Sequence, residues 1–242
     1  MPEGPSIVIL REELEPFAGL KVLDISAPPA VPVQELLHQK VTAFKSWGKH
    51  LLICFTKGTI RIHLLLFGSY RINTDRNIQP RLRLEFKSGY VNFYTSSVLF
   101  LTRPVDELYD WSADVMNAQW DAKAARKKLK NIPDTQIADA LLDQHIFAGV
   151  GNIIKNEVLF RLRIHPESLT GHLPSAKITA LLKEVVIYSF EFLDWKKQGV
   201  LKKHWQAHTK KTCPRCHIPF VKKYTGKTKR RSFFCTNCQV LY

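Results

Sequence analysis

Two hydrophobic rhythms divide this chain. Thr59-Ile60-Arg61-Ile62-His63-Leu64 and Arg81-Leu82-Arg83-Leu84-Glu85-Phe86-Lys87 change side at every residue. A period of two belongs to strands with one buried face. Ser88-Gly89 separates the second run from Tyr90-Val91-Asn92-Phe93-Tyr94, which predicts a hairpin. Residues 41–55 also read as strand, broken at Gly48. Several short antiparallel strands at this spacing predict a sandwich or barrel. One helix precedes them, over residues 6–15, ending before Pro16.

Near Trp120 the rhythm becomes helical. Asp121 is placed to cap a basic helix over 122–130, and Asp134 to cap another through 142. The turn Gly149-Val150-Gly151-Asn152 opens a third helix over 153–161, and Ser175 caps a fourth running to about 195. A basic connector, 196–211, leads into a cysteine-rich end. The expected fold class is α+β in three parts. Residues 1–118 form a helix plus an antiparallel β-sandwich, 119–208 a helical module, and 209–242 a metal ribbon. No internal repeat or low-complexity tract interrupts this order.

Composition adds a partner class. The 242 residues are 45% hydrophobic, enough for a core. Lys+Arg number 36 against 21 Asp+Glu, a formal charge of +15. So basic a chain repels itself unless a polyanion offsets the field, and nucleic acid is the commonest such partner. A basic protein with no polyanion ligand is the alternative. The N-terminus lacks the basic start and cleavage site of a secretory leader, and no run approaches the ~18 apolar residues of a membrane span. The expectation is an intracellular, cytoplasmic protein with no membrane partner.

Five cysteines follow two patterns. Cys54 stands alone in Leu51-Leu52-Ile53-Cys54-Phe55 and reads as a buried structural thiol. The other four form Cys213-Pro-Arg-Cys216 and Cys235-Thr-Asn-Cys238. In a reducing compartment this spacing means metal rather than disulfide. Four thiolates leave no open coordination position, so the expected cofactor is a structural Zn2+. It would supply folding free energy that so short a segment lacks. Between the pairs runs Lys222-Lys223-Tyr224-Thr225-Gly226-Lys227-Thr228-Lys229-Arg230-Arg231. A hairpin tip with this charge suits a phosphate backbone; a solvated charged loop is the plainer reading.

Two further motifs are weak alone. Gly149-Val150-Gly151-Asn152 ends at a helix N-terminus, where free N–H groups and the helix dipole attract anions. The same pattern also serves as an ordinary helix–helix turn. Pro2 follows the initiator Met, whose removal before a small residue would expose a secondary amine. Attack by that amine on a sugar C1′ gives an iminium with no N–H proton to lose, an electron sink. Glu3 beside it could move protons.

Joined in order, Pro2-Glu3-Gly4-Pro5, Trp47-Gly48-Lys49, Gly149-Val150-Gly151-Asn152 and the four cysteines resemble the formamidopyrimidine-DNA glycosylase/endonuclease VIII family along essentially the whole chain. The resemblance implies a β-sandwich, a helix–two-turn–helix module and a zinc finger, with damaged double-stranded DNA bound in the cleft between halves. It implies that Pro2 is the nucleophile and Glu3 the proton-transfer group. Lys49 would hold the backbone near the damaged nucleotide, and Asn152 and Arg230 would clamp flanking phosphates. Arg230 is preferred to Arg231 by its distance from Cys235. Leu66 and Phe67, in His63-Leu64-Leu65-Leu66-Phe67-Gly68, would be wedges in the base stack, or at least one of them sandwich core.

The implied activity is base excision of oxidised bases with AP-lyase β,δ-elimination, by a monomer. Glu3-Gly4-Pro5 and the short connector before Cys213 favour the endonuclease VIII-like branch, hence oxidised pyrimidines. Ser6 stands where the family usually carries Glu, which keeps open a catalytically inactive lesion or junction binder on the same scaffold. An RNA-binding or ribosome-associated module is a further alternative, but it leaves Pro2-Glu3 and Gly48-Lys49 without a role.

Overall fold

The computed structural model describes residues 2–242. The chain divides into two compact units, one ending at Asp110 and one spanning Trp111–Tyr242.

The first unit opens with α1 (Gly4–Leu14), whose Pro5 sits in the first turn, where a missing N–H costs nothing. Eight strands follow: β1 (Asp24–Ser26), β2 (Ala43–Trp47), β3 (His50–Phe55), β4 (Gly58–His63), β5 (Ser69–Ile72), β6 (Leu82–Phe86), β7 (Gly89–Tyr94) and β8 (Ser97–Leu101). They make two antiparallel sheets, ordered β1-β6-β7-β5 and β2-β3-β4-β8. Short helices α2 (Val33–Leu36) and α3 (Val105–Leu108) lie outside the sheets. Alternation does the work expected of it: Leu82, Leu84 and Phe86 of β6 are buried while Arg83 and Glu85 are partly exposed. They meet Ile60 and Ile62 of β4 and Ile7, Leu10 and Leu14 of α1 in one core, which makes the two sheets a sandwich. Cys54 lies on β3 and is buried, as expected of a structural thiol.

The second unit contains α4 (Ala122–Lys130), α5 (Ile137–Ala140), α6 (Asn152–Arg161), α7 (Ser175–Lys197) and the hairpin β9 (Val221–Thr225) and β10 (Arg230–Phe234). Asp121 caps α4 by accepting the N–H of Lys123 and of Ala124. Asp134 does not cap the next helix. α5 is a single turn with Gln136 at its N-cap. The backbone of Gln136 bridges to Leu169, and the Thr135 carbonyl accepts the Thr170 N–H at 2.9 Å, so tertiary pairing occupies the residues that a longer helix would need. Ser175 is the first residue of α7 rather than its cap, which is Pro174. The helix extends to Lys197, and a 3-10 turn, Leu201–His204, occupies part of the expected connector.

α6 is the centre of this unit. Every residue from Asn152 to Phe160 is buried. A helix apolar on one face needs one partner; a helix buried all round must satisfy its polar side chains internally. No helix among the described residues is long and apolar enough to cross a membrane.

Candidate functional site

In the first unit, Pro2 is half-buried and Glu3 is 0% exposed at the N-cap of α1. Glu3 N–H donates to Ser6 Oγ at 3.4 Å, and Ser6 N–H donates to the Glu3 carbonyl at 2.8 Å. Ser6 therefore closes a reciprocal capping turn that holds the backbone of Glu3. Met1, and with it the question of its removal, lies outside the described residues.

Lys49 sits in the tight turn joining β2 and β3. An aromatic cluster braces that turn. The Trp47 ring lies 4.9 Å from Tyr109, and its Nε1 donates to the Asp110 carbonyl at 2.9 Å. His50 meets His63 edge-on at 5.3 Å and lies 3.3 Å from the Tyr109 hydroxyl through Nδ1. Burial, with Arg61, His63 and Lys49 adding their charge, lowers the His50 pKa to about 3. Burial likewise lowers that of His63. Both imidazoles are neutral at pH 7, so the cation of this turn is Lys49.

Leu66 and Phe67 are not core. Leu64 is 3% exposed, but Leu65 is 48%, Leu66 44% and Phe67 83% exposed. Gly68 donates its N–H to the Leu64 carbonyl at 2.7 Å, and a Cβ on Gly68 would fall 2.1 Å from that oxygen. The turn closes too tightly for any side chain there, and the three apolar residues are pushed outward. Apolar groups held in water by a stiff turn are shaped for contact rather than for folding.

In the second unit, the N-terminus of α6 and the β9–β10 hairpin are locked together. The Arg231 carbonyl accepts from Asn152 Nδ2 at 3.0 Å, Asn156 Nδ2 at 3.3 Å and Lys155 Nζ at 3.4 Å. Lys155, fully buried, also donates to Ser232 Oγ at 2.8 Å, and Asn156 Oδ1 accepts the Phe233 N–H at 3.0 Å. Asn152 Oδ1 is buried and has no hydrogen-bond partner among the described residues. The structure thus brings Asn152 next to the strand that carries Arg230. Alternation along β10 puts Arg230 on the Ser232 side, towards α6. Arg231 points the other way, with Nη2 donating to the Tyr224 hydroxyl at 2.7 Å and the guanidinium over that ring at 5.1 Å.

The hairpin tip has its own anchor. The Asp139 carboxylate of α5 accepts from Lys227 N at 2.6 Å, Thr228 N at 3.1 Å and Thr228 Oγ1 at 2.6 Å. Behind α6, Glu157 is fully buried and accepts three consecutive N–H groups, of Gln206, Ala207 and His208, at 2.9, 3.0 and 2.7 Å. Burial raises its pKa and the three N–H groups oppose that rise.

The four candidate metal ligands converge. Sulfurs of Cys213, Cys216, Cys235 and Cys238 all lie within 4.8 Å of one another, with Cys213 and Cys238 at 3.8 Å. Thiolates ~2.3 Å from a tetrahedral zinc stand about 3.8 Å apart, so the donor set fits that ion. Arg215, between the first two cysteines, donates to the carbonyls of Phe160 and Arg161 at 2.8 and 3.3 Å and stacks on Phe160 at 4.0 Å. This ties the first knuckle to the C-terminal end of α6.

Sequence reasoning found Asn152 and the basic hairpin but missed Asp139, Lys155, Asn156 and Glu157. One signal was available for the last three: Lys155-Asn156-Glu157 is a polar run inside an otherwise apolar helix. Asp139 carries no such signal, because its partners lie far along the chain.

Comparison with known proteins agrees with this anatomy. Residues 1–100 match the formamidopyrimidine-DNA glycosylase N-terminal domain and residues 112–199 the formamidopyrimidine-DNA glycosylase H2TH domain. Endonuclease 8-like 3 of Mus musculus is 30% identical over 206 residues, 79% of this chain and 33% of that protein. The chain therefore spans about a third of the length of that relative. The formamidopyrimidine-DNA glycosylase of Lactobacillus helveticus is 27% identical over the full length of both chains. Lactococcus lactis formamidopyrimidine-DNA glycosylase, solved non-covalently bound to DNA containing an AP site, superposes with a TM-score of 0.86 at 24% identity, covering 98% of this chain and 99% of its own. Two matched domains in the order that the sheets, helices and cysteine cluster require place the chain in the formamidopyrimidine-DNA glycosylase/endonuclease VIII family.

Proposed function

We propose that this protein is a bifunctional DNA glycosylase and AP lyase that removes oxidised bases, chiefly oxidised pyrimidines, from double-stranded DNA. The observation that most supports the reading is Pro2, half-buried, beside a fully buried Glu3 at the head of α1. Removal of Met1 frees the Pro2 amine. The amine attacks C1′, the bond to the base breaks, and the base leaves with the amine's proton; the C1′–O4′ bond then opens, O4′ takes a proton, and C1′ is left as the iminium. The resulting iminium draws electrons from C2′–H, so a proton leaves C2′ and the 3′ phosphate is expelled. A second elimination expels the 5′ phosphate and leaves a one-nucleotide gap. Glu3 is the group placed to carry protons in these steps.

Lys49 holds the backbone close to the lesion. Asn152 and Arg230 hold phosphates, Arg230 rather than Arg231 because the latter is committed to Tyr224. Leu66 and Phe67 fill the stack when the damaged nucleotide leaves it. Zinc on the four cysteines is structural, and the enzyme acts as a monomer. The Lactococcus lactis enzyme is solved both with DNA containing an oxidised pyrimidine and with DNA containing FAPY-dG, so the choice of pyrimidines rests on Glu3-Gly4-Pro5 and the short connector before Cys213.

A second reading rests on Ser6, which caps Glu3 where the family usually has Glu: a lesion-binding protein without chemistry. Duplexes carrying one oxidised pyrimidine, one oxidised purine or one abasic site separate the two. The proposal expects strand cleavage with phosphate at both ends of the gap, fastest on the pyrimidine lesion, and loss of base excision in Glu3→Gln. Tight binding with no cleavage of any duplex would leave the binder.

A further inference from the structure

The second unit carries an apolar groove that the DNA chemistry does not use. It lies between α4 and α7 and has a volume of about 490 Å³. Trp120, Leu182, Val186 and Ile187 form its apolar floor. Ile187 is 37% exposed, and Phe190, one turn further along α7, is 46% exposed. Residues three and four apart share a helix face, so Lys183, Val186, Ile187 and Phe190 make one stripe.

The rim has one sign. Lys123, Arg126 and Lys183 line it and no carboxylate does. Arg126 donates to two neutral hydroxyls, Thr179 Oγ1 at 2.6 Å and Ser175 Oγ at 3.4 Å. None of the three cations is in a salt bridge among the described residues. The last turn of α4 carries Lys127 and Lys130 as well. Asp121 is adjacent, but its carboxylate is spent on the N-cap of α4.

From this pairing of an apolar floor with an uncompensated basic rim we infer that the α4–α7 groove docks an acidic, amphipathic helical segment of a partner protein. A DNA backbone would answer the rim but leave Trp120, Val186 and Ile187 facing hydrated phosphate. An apolar ligand alone would leave the three cations without counter-charge. A helix with Leu or Phe at i, i+3, i+4 and i+7 and carboxylates on its flanks answers both. The stripe from Thr179 to Phe190 is roughly 16 Å long at ~1.5 Å per residue, room for about three turns of such a helix. The segment would bring a partner to the repair protein without competing for the elements that carry Asn152 and Arg230.

A random 16-residue peptide display library, selected on the full chain, tests this without presupposing a sequence. Enriched peptides should carry net negative charge and apolar residues at helical spacing. Their affinity, read by fluorescence anisotropy, should fall at least tenfold in Ile187→Asp and about fivefold in Lys183→Glu, the size of one exposed charge pair. Ile187→Asp should leave the chain folded and its DNA binding unchanged, because Ile187 is 37% exposed on the groove and outside the elements that carry Asn152 and Arg230. An excess of lesion-containing duplex should not displace the peptide. The inference is overturned if no peptide is enriched, if the enriched peptides are neutral or basic, if both variants bind them as the parent does, or if duplex DNA displaces them, which would make the groove a nucleic-acid surface.

Discussion

Replacing Asp139 with alanine should release the tip of the zinc-ribbon hairpin while leaving the rest of the fold in place. Asp139 is half-buried on α5 and accepts three hydrogen bonds from Lys227 and Thr228. A bond to a charged acceptor contributes up to 3 kcal/mol when buried, but water can replace this one at an exposed tip, so about 1 kcal/mol each is the fitting figure. Loss of all three gives about 2–3 kcal/mol, or roughly 30- to 150-fold in the local opening constant. Hydrogen exchange reads that constant directly: amides of residues 225–229 should exchange faster by this factor, while those of β3 keep their rates. Asp139→Asn, which keeps one acceptor oxygen, should fall between. Gly226→Ala should act in the same direction, because its φ is +70° and a Cβ would meet the Asp139 carboxylate at 2.2 Å. Since Arg230 follows this tip directly, DNA affinity should fall in all three variants without a change in base preference. Unaltered exchange at the tip in Asp139→Ala would refute the claim that this carboxylate holds it.

The remaining predictions concern acid stability and the exposed turn. The pKa of His50 is lowered to about 3 and that of His208 to about 4, in each case chiefly by burial. The unfolded chain therefore takes up protons first, so stability is full above about 6.5 and falls as pH drops towards those values. Each histidine costs up to about 1.4 kcal/mol per pH unit in that window. Urea titrations at pH 7 and pH 5 should show the loss, and His50→Phe should remove part of it; a flat profile would contradict the buried, neutral imidazoles. Phe67→Ala should leave the unfolding midpoint within about 0.5 kcal/mol of the parent, since the ring is 83% exposed. Cleavage of a lesion in duplex DNA should slow about tenfold, with little effect on the same lesion in a single strand. Equal slowing on both would remove Phe67 from the base stack.

How much of this was legible in the sequence follows the range of the interactions. β4, β6 and β7 announce themselves by alternation, and the capping of α4 by Asp121 is local. The cysteine pairs announce their own convergence because a metal site needs two knuckles. β1 and β5 are edge strands of three and four residues, too short for a period to show. Asp134 looked like a cap because nothing nearby reveals that Gln136 bridges to Leu169. The exposure of Leu66 and Phe67 depends on how closely Gly68 approaches Leu64, and four apolar letters in a row do not encode that. The lock between α6 and β10 joins residues some 75 positions apart, so only the polar run at 155–157 hinted at it.

The most direct test of the central claim is borohydride trapping on a duplex with one abasic site, followed by mass spectrometry of the adduct. Borohydride reduces the iminium and fixes the protein to C1′. The account predicts a covalent adduct that maps to the amine of Pro2, from a chain that lacks Met1. A chain confirmed to begin at Pro2 that binds the duplex and yields no adduct would contradict it.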